Sequence, residues 1–430
     1  MLMAGNLFTL AVGFPFQIYI ARKLGVEGLG VFGLLDVGVQ TMCALFGFGV
    51  AEVVVRYIPE HTERFQTGAI RDLLKRVYVI GLVTSVLALI GINLLVPTLV
   101  SWKPEIRNYE DLIPLMSIMI PLSMLIGISQ QVLRGFFDIR LMVIMSSFVQ
   151  LFLKVVLSYV FFSMGMHLDG YICAVVISTG ICLLGMGVGI WNRMRHLPAG
   201  GPPADLGERS NWFRYGRVMY SNSLLNVAGP PLERIFLLGA MDIRAVGVLL
   251  VLRQLQTFPQ IFLQVIITVV SPMFVCSKNR DDTAMLYHLS TDWICRLTLP
   301  LLIFLLLRTK DILELYGDGF AEIGGTALMV IILAQCLNLF TGPVGNMLNM
   351  KGHESKMLRI NFWSVLMTLI GCCVLVPVFG LMGVAMVTVI SVAIVKLWAV
   401  AVAHRELSIG WWSKRFYKWL LPSAATVGFF

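Results

Sequence analysis

Charge is scarce in this chain. Only 13% of its 430 residues are Asp, Glu, Lys or Arg, about half the share found in soluble domains. No stretch is both long enough and polar enough to fold apart in water. CxxC, HExxH and GxxxxGK[ST] are all missing, which removes zinc-ribbon, zincin and P-loop chemistry and with them direct use of ATP. The eight cysteines (Cys43, Cys173, Cys182, Cys276, Cys295, Cys336, Cys372 and Cys373) fall mostly in or beside apolar runs. They read as small buried hydrophobes, not as metal ligands or disulfides. A cleavable secretory signal is not expected either. The first apolar run, Leu2 to Ala21, is followed by Arg22-Lys23-Leu24-Gly25 and reads as a retained span.

What the chain has is hydrocarbon. Hydrophobic residues make up 58% of it, gathered in runs near the roughly 20 residues that cross a bilayer as a helix. Spans are expected at about 2–21, 31–52, 77–97, 111–131, 141–164, 170–191, 219–240, 246–274, 297–307, 324–347, 360–379 and 382–403. The ninth is short and is expected to extend through Arg308 to Leu315, kinked by Pro300. Pro114, Pro121, Pro230, Pro231, Pro259 and Pro343 lie in other spans, where each removes a backbone hydrogen bond and favours a bend.

With the N-terminus inside, inner loops hold 22 of the 33 Lys and Arg residues, outer loops 7 and spans 4. This is the bias of the positive-inside rule. It also accounts for the formal net charge of +9, since anionic lipid attracts a basic inner face. Nucleic acid is not needed as a partner.

The chain also repeats. Gly30 and Gly247 each open a span 217 residues apart, and Gly135 and Gly352 keep that offset. Gly170 and Gly383, with Ser178 and Ser391, stand 213 apart, as one four-residue deletion would leave them. Six spans per repeat give both halves the same topology, about an axis along the membrane normal. The expected fold is an all-α polytopic membrane protein, with about twelve transmembrane helices in two parallel six-helix lobes around a central cavity. The lobes cover 1–191 and 219–403, joined by a cytoplasmic linker at 192–218 that contains the loop Leu197 to Pro203. Residues 404–430 form a tail, read either as interfacial or as a truncated further span.

The stretch ARKLGVEGLGVFGLLDVGVQTMCALFGFGVAEVVVRYIPEH (Ala21–His61), with LERIFLLG (Leu232–Gly239), AVG (Ala245–Gly247), RQL (Arg253–Leu255) and VPVFGLMG (Val376–Gly383), resembles bacterial oligosaccharide flippases. These are the Wzx-type polysaccharide exporters of the multidrug/oligosaccharidyl-lipid/polysaccharide superfamily. Glu233 stands where many relatives carry Asp. The resemblance implies a non-enzymatic flippase in the bacterial or archaeal cytoplasmic membrane. Its cargo would be a polyprenyl-diphosphate-linked oligosaccharide for surface polysaccharide such as O-antigen or lipopolysaccharide. It implies action as a monomer, beside polysaccharide polymerase machinery, with no cofactor and with proton or sodium coupling open. A cation-coupled drug exporter and a peptidoglycan lipid-precursor flippase are the alternatives.

A charge at mid-helix costs about 2.5–3.5 kcal/mol on insertion scales. Lys154 lies about 15–20 Å from either end of its span, too deep to snorkel, and calls for a lumen or an internal ion pair. Arg253, Arg234 and Lys396 are shallower, so each fits either a ligand role or snorkelling. Together these four are the candidate substrate cations, since a diphosphate is the densest charge on a lipid-linked sugar. Glu233, Asp36, Glu52, Arg56 and Arg22 are candidates for gating or coupling. Arg22, Glu52 and Arg56 read first as positions at the water interface, and as gates second. Gln130, Gln131, Asn222, Asn226, Gln254 and Gln264 are polar residues that a lumen could use.

Overall fold

The computed structural model describes all residues except 1, 64–65, 103–106, 108, 197–209, 211, 214, 218–219, 221–223, 225–228, 278 and 411–430. The expected linker loop at 197–203, the lumen candidates Asn222 and Asn226 and most of the tail therefore lie outside the described residues. The chain divides into two compact units, Met1–Leu24 with Val31–Pro231, and Gly25–Gly30 with Leu232–Phe430. The division falls beyond 192–218, because Trp212 packs with the first unit against Tyr57 and His61.

The first unit is built from α1 (Leu2–Phe46), α2 (Val50–Glu63), α3 (Thr67–Trp102), α4 (Leu112–Ser117), α5 (Met119–Gly135), α6 (Ile139–Val143), α7 (Gln150–Ser163) and α8 (Leu168–His196). One π-helical turn, Ile144–Val149, joins α6 to α7. The second unit holds α9 (Gly229–Ala240), whose first residues fall before the boundary, then α10 (Ile243–Cys276), α11 (Arg280–Leu307) and α12 (Thr309–Glu314). It ends with α13 (Phe320–Phe340), α14 (Val344–Met350) and α15 (Glu354–Leu407).

Nine helical stretches among the described residues are long and apolar enough to cross a membrane. Two of them are double. α1 breaks at Gly25 (φ 68°, ψ −178°) and α15 at Gly380 (φ 56°, ψ −128°), conformations that a side chain resists and glycine adopts freely. Counting both halves of each gives eleven spans, and α9 carries the described part of the seventh. The chain is thus a multi-pass membrane protein with the expected twelve. Its surface agrees: Val79, Leu82, Val83, Val86, Leu87, Ile90 and Leu94 form an exposed apolar stripe along α3 at helical spacing, a face suited to lipid.

Three details differ from the sequence reading. The ninth span grows toward its start, not its end. α11 begins at Arg280 and stops at Leu307, and Leu315 follows the separate α12. Polar residues on that added length are satisfied locally, with Arg296 paired to Asp292 at 2.9 Å and the Thr291 hydroxyl donating to its own helix. The second span ends at Phe46, and Gly49 (φ 63°) turns the chain into α2. Glu52 and Arg56 therefore sit on a separate short helix rather than at the span's inner end. Finally, the repeat slips in two steps. Phe137 (φ 57°) and Gly352 (φ 83°) occupy equivalent left-handed turns, as do Gly165 (φ 84°) and Gly380. Both pairs are 215 apart, between the offsets of 217 and 213.

The repeat also meets itself. Within the second unit, a Cβ on Gly30 would collide with the Ile243 carbonyl oxygen, and a Cβ on Gly247 with that of Val26. Val26 and Ile243 are themselves 217 apart, so each glycine seats on the residue four before its counterpart. Glu27 and Arg244, another pair at that offset, form an exposed ion pair at 3.7 Å. Two equivalent segments packed reciprocally are what a local two-fold produces.

Candidate functional site

Three helical segments of the second unit build a charged cluster in its interior. Glu233 lies on α9, Arg253 and Gln256 on successive turns of α10, and Thr388 on the second half of α15. Arg253 Nη2 donates to the Glu233 carboxylate and to Thr388 Oγ1 at 2.9 Å, while Nη1 donates to Gln256 Oε1. The Thr388 hydroxyl donates in turn to the Val384 carbonyl at 2.8 Å, which leaves its lone pairs to the guanidinium. The two charged side chains are 9% and 22% exposed for Glu233 and Arg253. Arg253 Nε is buried without an acceptor among the described residues. Arg253 is therefore a compensated cation, tied to three helices at once.

Adjacent helix positions diverge by about 100°, and the structure follows that rule. Glu233 is buried against α10 and Arg234 is half-buried beside it. Lys396, near the end of α15, is half-buried and forms no ion pair or hydrogen bond among the described residues.

The first unit treats its deepest cation differently. Lys154, on α7, is half-buried, and its Nζ lies 5.4 Å from the ring centre of Tyr171 and 6.0 Å from that of Phe16. Both rings are buried. Among the described residues Lys154 makes no ion pair. Cation–π contacts contribute about 0.5–2 kcal/mol, less than the cost of a mid-helix charge, so the rings only partly satisfy the ammonium. Asp36, on the second half of α1, accepts from Gln40 Nε2 at 2.6 Å.

The remaining candidates stay apart. Arg22 is exposed, Glu52 is half-buried, and Arg56 spreads its guanidinium over Tyr215 at 4.5 Å and Tyr57 at 5.5 Å. Gln131 accepts from Arg134 at 3.5 Å, Gln130 and Gln254 are half-buried, and Gln264 is exposed. Among the described residues Glu233 and Arg253 are joined as an ion pair. Sequence reasoning did not find Thr388, Gln256, Phe16 or Tyr171. The 217-residue offset offered one signal: it aligns Phe16 with Glu233 and Asp36 with Arg253. No cluster of three potential metal ligands occurs among the described residues.

Apolar spans in two repeats, with charges held inside them, define a polytopic all-helical membrane protein of the two-lobe, twelve-helix kind. An inward-facing multidrug resistance MATE family transporter of the MOP superfamily superposes with a TM-score of 0.71 at 15% identity, over 94% of each chain. The inward closed lipid II flippase MurJ gives 0.69 at 12% identity, over 93% of this chain and 87% of its own. A MOP superfamily transporter from Pyrococcus furiosus, described as having a binding pocket of reverse polarity, gives 0.61 at 15%, over 94% and 93%. No curated protein sequence matches. The family profile described as polysaccharide biosynthesis protein matches residues 1–278, and the chain belongs to that family.

Proposed function

We propose that the chain flips a polyprenyl-diphosphate-linked oligosaccharide from the inner to the outer leaflet of a bacterial or archaeal cytoplasmic membrane, by alternating access, for surface polysaccharide synthesis. Lys154 carries the reading. It is an intramembrane ammonium held by rings and lacking a carboxylate partner among the described residues, so it retains its demand for an anion. A diphosphate meets that demand with dense charge, while the polyprenyl tail stays in lipid. Membership of a polysaccharide biosynthesis family supports the cargo class.

Arg234 and Lys396 are the candidate substrate cations of the second unit. Arg253 joins them only when Glu233 releases it, which makes the Glu233–Arg253 pair the natural place for proton or sodium coupling, with Asp36 as its counterpart in the repeat. Arg22, Glu52 and Arg56 belong to the water-facing ends as gates. The N-terminus lies in the cytoplasm, as the basic loops require. A monomer suffices for the cycle, with polymerase machinery receiving the product.

The test is transfer of a fluorescent polyprenyl-diphosphate oligosaccharide across liposomes holding the purified protein, with a cationic dye as parallel cargo. Lipid-linked sugar should cross, and Lys154→Ala should slow it. Transfer of dye alone would replace this reading with a drug exporter, the alternative favoured by fold likeness to a multidrug resistance transporter. A lipid-linked peptidoglycan precursor as third cargo tests the remaining alternative.

A further inference from the structure

The first unit carries a groove of about 890 Å³ on its outer side, between α3, α5 and α8. Its walls are apolar, with Leu74, Leu125, Leu183, Leu184, Val188 and Ile190 among them. Its mouth is basic: Arg71 and Lys75 project from the first turns of α3, and Arg195 from the last turn of α8. These helices run in opposite directions, so all three cations stand at one end. Among the described residues no carboxylate lines the groove. Asp72, the nearest in sequence, is half-buried and paired with Arg76 at 3.0 Å, and among the described residues Arg71 and Lys75 form no ion pair. Trp191 is 64% exposed beside the mouth, with the Arg195 guanidinium 6.0 Å from its ring, the position of an interfacial aromatic anchor.

Length fits as well. From Arg195 back to Leu183 is twelve residues of helix, about 18 Å, close to half of the roughly 30 Å hydrocarbon core. The groove thus runs from the headgroup level to about mid-bilayer. Tyr78, whose hydroxyl meets Ser129 Oγ at 2.9 Å, puts a polar pair about 10 Å below Arg71, in reach of a glycerol backbone. A cation cluster above an apolar slot of leaflet depth recognises phosphate and acyl chain together.

We infer that this groove is a binding site for one anionic diacyl phospholipid of the inner leaflet. The headgroup phosphate lies among Arg71, Lys75 and Arg195, and an acyl chain lies along Leu125, Leu184 and Val188. The site is separate from the intramembrane cations and does not depend on which cargo the protein carries.

Gly187 gives the means of testing it. It lines the groove, and a Cβ placed there meets nothing within 4 Å, so Gly187→Phe starts from open space and carries its ring into the slot. The full-length protein in detergent would be titrated with phosphatidylglycerol or phosphatidylcholine of matched chains, and retained lipid counted by native mass spectrometry. The wild type should retain phosphatidylglycerol over phosphatidylcholine by at least about tenfold. The Arg71→Gln, Lys75→Gln, Arg195→Gln triple variant should lose that preference. Gly187→Phe, with all three charges present, should lose the lipid adduct, while Gly187→Ala keeps it. Arg195→Gln alone, expected to weaken binding severalfold, serves if the triple variant fails to fold.

Equal retention of the two lipids by the wild type, or a preference that survives the triple variant, would overturn the site. So would a preference that survives Gly187→Phe, which would leave only charge on an open surface. Displacement of phosphatidylglycerol by equimolar polyprenyl diphosphate would instead assign the groove to the cargo.

Discussion

The two halves of this chain handle an intramembrane cation in opposite ways. In the second, Arg253 is answered by a carboxylate, a hydroxyl and an amide. In the first, Lys154 is answered by two rings. Correspondence through the repeat sharpens the contrast, because Phe16 stands where Glu233 does and Asp36 where Arg253 does. The same helical frame therefore supports a neutralised pair on one side and, on the other, an ammonium with no carboxylate partner among the described residues. A compensated pair holds helices together or switches when its charge balance changes. An uncompensated cation attracts an anion from outside. That division is why we propose cargo binding at Lys154 and coupling at the Glu233–Arg253 pair.

The largest effect should come from breaking the pair. Glu233→Ala strands Arg253 and should cost about 3 kcal/mol, read as a fall in melting temperature in detergent. Arg253→Met in the same background should recover most of it. Failure of that rescue would mean that Glu233 acts through something other than Arg253. Next, Lys154→Ala should cut lipid-linked sugar transfer by about 10–100-fold, the range of a lost charged hydrogen bond, while leaving the melting temperature nearly unchanged. A large loss of stability with unaltered transfer would reverse the roles assigned to the two halves.

The halves should, by contrast, respond alike at their shared glycines. Gly30→Ala and Gly247→Ala each drive a Cβ into a carbonyl oxygen of the other segment, and each should cost about 1–3 kcal/mol. Unequal costs would show that the local symmetry is geometric but not energetic.

The smallest effect lies past the last span. There the Lys356 ammonium, 2.7 Å from Glu406, holds that carboxyl below its ordinary value of 4.5. A depressed carboxylate contributes stability above its unfolded value and loses it as pH falls through the folded one. Wild type and Lys356→Gln should therefore melt slightly apart at neutral pH and converge below about pH 4.

Much of this architecture was legible because hydropathy and charge report directly on lipid. The span count and the lobes' common topology needed only apolar length, basic loops and the repeat. The ninth span was misdrawn for a physical reason. Asp281, Asp282, Asp292 and Arg296 read as water-seeking, yet a pair formed within the helix and a hydroxyl bonded to its own backbone reduce the cost of that polarity. The interior charges were legible as individuals but not as partners. Glu233 and Arg253 are twenty residues apart on different helices, and Thr388 is a further 135 away. Which cation is neutralised depends on packing that no local pattern encodes. The rings around Lys154 were hidden among many aromatics in apolar runs.

The reciprocal seat of residues 26–30 on 243–247 has an evolutionary consequence. A contact in which every position is used twice is what a pair of identical six-span subunits would make, and fusion of two such copies would leave it inside a single polypeptide. Substitutions drifting through one copy then find their complements 217 positions away, as the opposite charges at Glu27 and Arg244 illustrate. Covariation among descendants of that fusion should concentrate on such matched positions, and a gene split between the copies should still yield halves that recognise one another.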